Sequence, residues 1–158
     1  MHLSPSRPRR KFEDLAIGET RISSLRTLSE AEIVDFARLY DPQWFHTDPS
    51  AARQSHFGEV VASGIHILAL WRQMDHEMNQ DIDFVCGVGW DNVRMKKAVR
   101  AGDTLHATSR IVDLRASQSG KARGTAITEY AMLNQHDEEV ISFRSINLVY
   151  CRAAVTGA

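Results

Sequence analysis

The sequence predicts a single α+β domain in which one long helix packs on an antiparallel sheet. Three observations lead there. Within residues 57–79, Val60, Gly64, Ile67, Leu68, Trp71, Met74 and Met78 recur at three- and four-residue spacings, the longest helical pattern in the chain. Beyond it the period changes, and residues 85–95, 105–112, 125–133 and 140–151 are rich in β-branched and aromatic side chains. Turn formers separate these segments at Ala101-Gly102-Asp103, Ser117-Gln118-Ser119-Gly120 and Asn134-Gln135-His136-Asp137, which predicts a meander of successive strands. A further strand is expected near residues 20–28.

Local chemistry supplies the other elements. Ser29 and Glu32 form a capping box, each side chain satisfying an orphan amide of the other residue, and Ile33, Phe36, Ala37 and Tyr40 then fall on one helical face. Pro42 disfavours α backbone at Asp41, so this helix ends at Tyr40 or Asp41. Asp48 followed by Pro49 is a second start signal, an N-cap with proline at the first helical position. The first half of the long pattern is apolar almost all round, which predicts that other structure wraps it.

A chain of 158 residues holds about one domain. Its 43% apolar and 25% charged residues are those of a globular protein that forms a core without disulfides or a structural metal. Nineteen Lys and Arg against twenty Asp and Glu give a formal charge of −1, so no global field points to a nucleic-acid or membrane partner. Residues 1–11 carry Arg7, Arg9, Arg10 and Lys11 without an apolar h-region, and are expected to be a flexible basic arm rather than a secretory signal. The domain is expected over 12–152, with a flexible tail at 153–158. The most apolar run, residues 60–71, is too short to cross a bilayer, and a cytoplasmic location is expected. Cys86 and Cys151 are expected as buried, reduced thiols.

Several motifs are absent. Gly87-Val88-Gly89 lacks the third glycine of a dinucleotide fingerprint, and Gly120-Lys121 lacks the glycine of a phosphate loop. Ser63-Gly64 lacks the glycine two places before a nucleophile-elbow serine. No HExxH or paired Cys/His set occurs among the seven histidines, so no metal site is expected.

Two features remain with chemical content. Asp41 and His46 lie five residues apart on a loop pinned by a helix at each end, a carboxylate and an imidazole able to converge on one water. The plainer alternative is a turn-forming Asp-Pro and a helix-capping His; Trp44 and Phe45 between them argue for burial. The second feature is Ala62-Ser63-Gly64 near the start of the long helix, where free amides and a missing Cβ admit a substrate oxygen. Tight helix–sheet packing is the alternative reason for that glycine. Together the three residues form a minimal kit for adding water across a double bond conjugated to a carbonyl, whose oxygen gathers charge in the transition state.

The stretch from Tyr40 to Pro49, then Phe57-Gly58, Val61-Ala62-Ser63-Gly64 and Ala101-Gly102-Asp103-Thr104-Leu105, resembles the MaoC-like (R)-specific enoyl-CoA hydratase/dehydratase family. Phe12-Glu13-Asp14-Leu15 to Gly18-Glu19 resembles the family's opening, so the likeness spans about residues 12–149. It implies a hot-dog fold, a curled antiparallel sheet wrapped around a long central helix, with two subunits joining their sheets in a homodimer. It also implies cofactor-independent, reversible hydration of a trans-2-enoyl thioester, carried by CoA or acyl carrier protein, to the (R)-3-hydroxyacyl thioester. Asp41 and His46 would then hold the water and the Gly64 amide would polarise the carbonyl, with Ser63, Trp44, Phe57 and Arg94 expected to contact substrate. Two positions depart from the pattern: Ser63-Gly64 stands where many relatives have His-Gly, and Ala101 where they have Pro. The same fold also serves non-catalytic acyl-thioester-binding subunits and acyl-CoA thioesterases. Arg94, Lys96, Lys97 and Arg100 form a basic stretch, either a meeting place for carrier phosphates or simply a solvated strand face.

Overall fold

The computed structural model describes residues 6–152. After a 3₁₀ turn at Phe12–Asp14, the elements run β1 (Thr20–Ile22), β2 (Arg26–Thr27), α1 (Glu30–Tyr40), α2 (Trp44–Thr47), α3 (Pro49–Ala52), α4 (Gly64–Asn79), β3 (Phe84–Met95), β4 (Thr104–Ala116), β5 (Arg123–Leu133) and β6 (Glu139–Tyr150). The strands form one antiparallel six-stranded sheet in the order β1-β4-β5-β6-β3, with β2 also on β4. The sheet curls around α4, and the fold is the hot-dog fold.

Period-two burial builds the sheet's inner face. Along β5, Gly124, Ala126, Thr128, Tyr130 and Met132 are buried while their neighbours are not. Against that face α4 lays Ile67, Leu70, Trp71 and Met74, which share one core with Leu105, Ala107, Met132, Ile141 and Phe143. Trp71 is met edge-on by Trp90, Tyr130 and Phe143, at centroid separations of 5.5, 4.9 and 4.6 Å. One carboxylate sits inside this core. Asp75 accepts from the Tyr130 hydroxyl, from Asn79 Nδ2 at 2.8 Å and from Arg72, so its charge is fully partnered. Burial and that neighbouring carboxylate push the Tyr130 phenol above its ordinary range, which keeps it a donor.

Several expectations are revised by the structure. The strands are not a meander in sequence order, because β3 crosses to the far edge and pairs with β6. From that edge Trp90 and Val93 reach α4 on a side a simple meander would leave bare. The long helix starts at Gly64, where Ala62-Ser63-Gly64 was expected to open it, but the helical spacing from residue 57 runs ahead of it: Val60, Val61 and Ala62 are buried in extended backbone, tied by the Ala62 N–H to Val99 O at 2.8 Å. Their apolar spacing reads as helical only because a buried extended segment is apolar on every side. The basic residues 7–11 are docked rather than free. The Arg10 N–H donates to Asp81 O at 3.0 Å, and Arg7 and Lys11 both pair with Asp83, whose side chain is 6% exposed and needs the cations. The expected tail at 153–158 lies outside the described residues. Cys86 is exposed on β3 and Cys151 half-buried, and both thiols are free.

The expected strand at 20–28 is divided into β1 and β2, because the Ser23 hydroxyl takes the Ala107 amide between them at 2.8 Å. Among the described residues no helix is long and apolar enough to cross a membrane. The free edge of β3 carries Val88, Trp90 and Met95, each about half exposed.

The capping box at the start of α1 is formed as expected. The Ser29 hydroxyl accepts the Glu32 amide at 3.2 Å and the Glu32 carboxylate accepts the Ser29 amide at 2.9 Å. The Ser29 amide, helped by Arg26, holds the Glu32 carboxyl down at about 2 from 4.5. A depressed folded-state pKa stabilises the fold above the unfolded value and is lost as pH falls through the folded one, here from about 4.5 toward 2. Glu32→Gln is therefore expected to flatten the acid limb of a urea-stability profile by up to one proton over that interval. Equal slopes for the two proteins would show that the box does not couple folding to pH.

Candidate functional site

Three helix ends meet at the site. The Asp41 N–H caps α1 by donating to Ala37 O at 2.9 Å, after which Pro42 prevents another turn. The chain recoils into the single turn α2, and this turn points His46 inward, where it is 8% exposed. His46 Nδ1 lies 2.6 Å from Val61 O and Nε2 lies 3.6 Å from Asp41 Oδ2. From the other side comes the start of α4. Ser63 is fully buried at its N-cap; its hydroxyl accepts the Ile65 amide at 3.3 Å and donates to Asp41 Oδ2 at 2.5 Å. Gly64 is the first residue of α4, so its N–H has no intrahelical acceptor. Phe36 of α1 stacks on His66 of α4 at 4.3 Å, which fixes the two helices against each other. Burial holds the His66 imidazole below its ordinary pKa, in the neutral form that packs there.

The hydrogen-bond inventory sets the chemistry. A carbonyl oxygen only accepts, so the short contact to Val61 O puts the proton of a neutral His46 on Nδ1. Nε2 is then an acceptor facing a carboxylate oxygen that is also an acceptor. A gap of 3.6 Å between two acceptors suits a molecule that offers two O–H groups, and water is the smallest. Beside this pair opens a cleft of about 370 Å³ lined by Phe45, His46, Phe57, Ala62, Gly64, Ile67, Met95, Val99 and Val140. Most of its lining is apolar, and Lys96 and Lys97 border it as well, a mixture ordinary for a small-molecule pocket. A larger depression of about 620 Å³ lies over β1, β4, β5 and β6, but its Arg110–Glu129–Arg144 ion pairs offer no base beside a nucleophile.

The structure thus brings Asp41, His46, Ser63 and Gly64 together, with Phe57 on the cleft wall; Ser63, expected to contact substrate, is instead fully buried behind the cleft lining with its hydroxyl committed to Asp41 and the Ile65 amide. Trp44 is 48% exposed and lies edge-on to Phe45 at 5.6 Å, outside the cleft lining. Arg94 is exposed on β3, also outside the cleft, and its guanidinium donates to Val93 O at 2.9 Å. Of the rest of the basic stretch, Lys96 and Lys97 line the cleft while pairing with Glu139 and Glu138, and Arg100 pairs with Glu59 outside it. Two contributors went unread in the sequence. Val61 acts through its backbone carbonyl, for which no residue type is a signal, and Met95 arrives from a strand 31 positions after Gly64.

Fold and site together define the class: a hot-dog domain with a carboxylate–imidazole pair beside a glycine-led helix start. The model of the MaoC like domain matches residues 13–134, and the chain belongs to that dehydratase family. It is 30% identical over 105 residues to the 3-hydroxyacyl-thioester dehydratase Z of Mycobacterium tuberculosis, covering 65% of this chain and 70% of that one. It is 27% identical over 135 residues to the β-methylmalyl-CoA dehydratase of Chloroflexus aurantiacus, covering 84% of this chain and 38% of that one. The crystal structure of the MaoC-like dehydratase from Rhodospirillum rubrum superposes with a TM-score of 0.85 at 30% identity, covering 92% of this chain and 99% of that one.

Long-range ¹⁵N–¹H spectra of the neutral protein are expected to show His46 Nδ1 as the protonated nitrogen and Nε2 as the bare one. The opposite tautomer would remove the acceptor pair on which the site reading rests.

Proposed function

We propose that this protein is a cytoplasmic, homodimeric hydro-lyase that reversibly adds water to a trans-2-enoyl thioester, giving the (R)-3-hydroxyacyl thioester. The observation that carries this reading is the 3.6 Å separation of His46 Nε2 and Asp41 Oδ2 beside an apolar cleft. The dehydratase relatives support the reaction class.

In this scheme a water donates one hydrogen bond to His46 Nε2 and one to Asp41. Its oxygen adds to the β-carbon as one of its protons passes to the pair, and the pair delivers a proton to the α-carbon. The net change is one water added across one C=C bond, OH to the β-carbon and H to the α-carbon. No electrons are gained or lost, so the chemistry calls for no redox cofactor, and CoA or acyl carrier protein serves only as carrier. As the β-carbon is attacked, negative charge moves onto the thioester oxygen, and the free Gly64 N–H at the positive end of α4 is the donor that meets it. Ser63 acts on Asp41: by donating to Oδ2 it fixes the carboxylate's direction and leaves Oδ1 and the remaining lone pairs for water. The free edge of β3, with Val88, Trp90 and Met95 exposed, supports pairing with a second copy, since a long apolar edge is normally covered.

Purified protein is expected to bleach the conjugated absorbance of crotonyl-CoA, and Asp41→Asn or His46→Ala to lower kcat by about 10²–10⁴-fold, the usual worth of a general acid–base group. Absence of turnover on short and long enoyl-CoAs by a folded protein would overturn the reading. Sedimentation at micromolar concentration is expected to give a dimer, and a monodisperse monomer would contradict the pairing.

A further inference from the structure

The cleft has one wall that is built differently from the others. A β-carbon placed on Gly64 would stand 2.8 Å from Cε, 3.1 Å from Sδ and 3.5 Å from Cγ of Met95, and these are its three nearest neighbours. The Met95 thioether therefore lies directly over the Gly64 α-carbon. Of the other apolar walls, Ala62, Ile67, Val99 and Val140 are between 2% and 8% exposed and fixed by packing, and Phe45, Phe57 and Ala98 are half-buried. Met95, the last residue of β3, is 54% exposed in the single chain, on the edge that the proposed dimer would cover. Its side chain is unbranched with three rotatable bonds, so it can change rotamer without disturbing the core.

We propose that Met95 determines which acyl groups the cleft accepts, by screening against a substituent on the α-carbon of the thioester. This rests on the hydratase reading, in which the Gly64 amide holds the carbonyl oxygen. The α-carbon is one bond from that carbonyl carbon, so a side chain pressed on Gly64 bears on whatever the α-carbon carries. An α-hydrogen fits beneath the thioether. A methyl group reaches about 1.5 Å further and needs carbon–carbon contacts of about 3.5–4 Å, which Met95 denies unless it swings away from Gly64. Glycine at 64 and methionine at 95 are then a matched pair: any side chain at 64 would evict the thioether, and the thioether in turn takes the room the glycine leaves.

The test compares kcat/KM for crotonyl-CoA with that for its 2-methyl homologue, in wild type, Met95→Ala and Met95→Phe. The ratio of methylated to unmethylated substrate is expected to rise tenfold or more in Met95→Ala, within the 10–200-fold that one methylene is worth in an apolar site, and to fall in Met95→Phe. A merely structural role would scale both substrates alike, and an unchanged ratio in both variants overturns the proposal. Should wild type turn over neither substrate, the hydratase reading falls, and the dissociation constants of butyryl-CoA and 2-methylbutyryl-CoA supply the same ratio without turnover. A ratio of affinities untouched by Met95→Ala then overturns the steric claim independently.

Discussion

The Ser63 hydroxyl accepts the Ile65 amide and so starts α4, and it donates to Asp41, where α1 ends. One buried oxygen thereby joins the termini of two helices that are 23 positions apart in sequence, from Asp41 to Gly64. Without it the carboxylate would be one more C-terminal group turning toward solvent, and α4 would lack its N-cap. With it, the positive end of α4, the Asp41 oxygen and the His46 ring share one corner. The Val61 carbonyl completes the frame from the segment that leads into Ser63 and gives the imidazole its orientation. Function and helix capping here use the same atoms, so a substitution at Ser63 is felt as both.

What holds that corner in place is the burial of α4 along the curled sheet. Leu28, Ile33, Leu105, Met132 and Ile141 are essentially inaccessible, and Trp71 locks the middle of the helix against β3, β5 and β6. Apolar packing alone tolerates rotation of a helix about its axis. The Asp75–Tyr130–Asn79 network does not, because its donors and acceptors are satisfied in one register and costly to leave unpaired. Fixing the axial rotation at Asp75 also fixes which way Gly64 faces three turns earlier. Binding energy spent on a rigid core is in this sense spent on the direction of a single amide.

Much of the architecture was legible in the sequence, and so was the seed of the site. The capping box at Ser29 and the stop before Pro42 are local devices, and each appears where the residues place it. Asp48 caps α3 ahead of Pro49 for the same reason, accepting the Ser50 and Ala51 amides at 2.9 and 3.0 Å. Asp41 and His46 are legible as a pair because five positions with a proline and a single helical turn between them limit how far apart they can fall. An apolar spacing at Val60 and Val61 does not say whether a buried segment is coiled or extended, and pairing with Val99 and Arg100 decides it. Arg94 and Trp44 carry chemistry suited to a substrate contact, yet a strand edge and a one-turn helix leave them outside the cleft lining.

By itself the sequence determined the α+β class, the helix boundaries at Ser29 and Asp41 and the acid–imidazole spacing, all of which depend on contacts within a few residues. Only the tertiary structure decided that β3 would cross to β6, that Ser63 would serve Asp41, that Val61 would orient His46, and that Met95 would cover Gly64. Each of these joins groups 15 to 31 positions apart, or strands that are not neighbours in the chain. The physical reason is that such contacts are chosen by how the whole inner face packs, since a polar atom or a flexible thioether has no preference of its own until burial removes the alternatives.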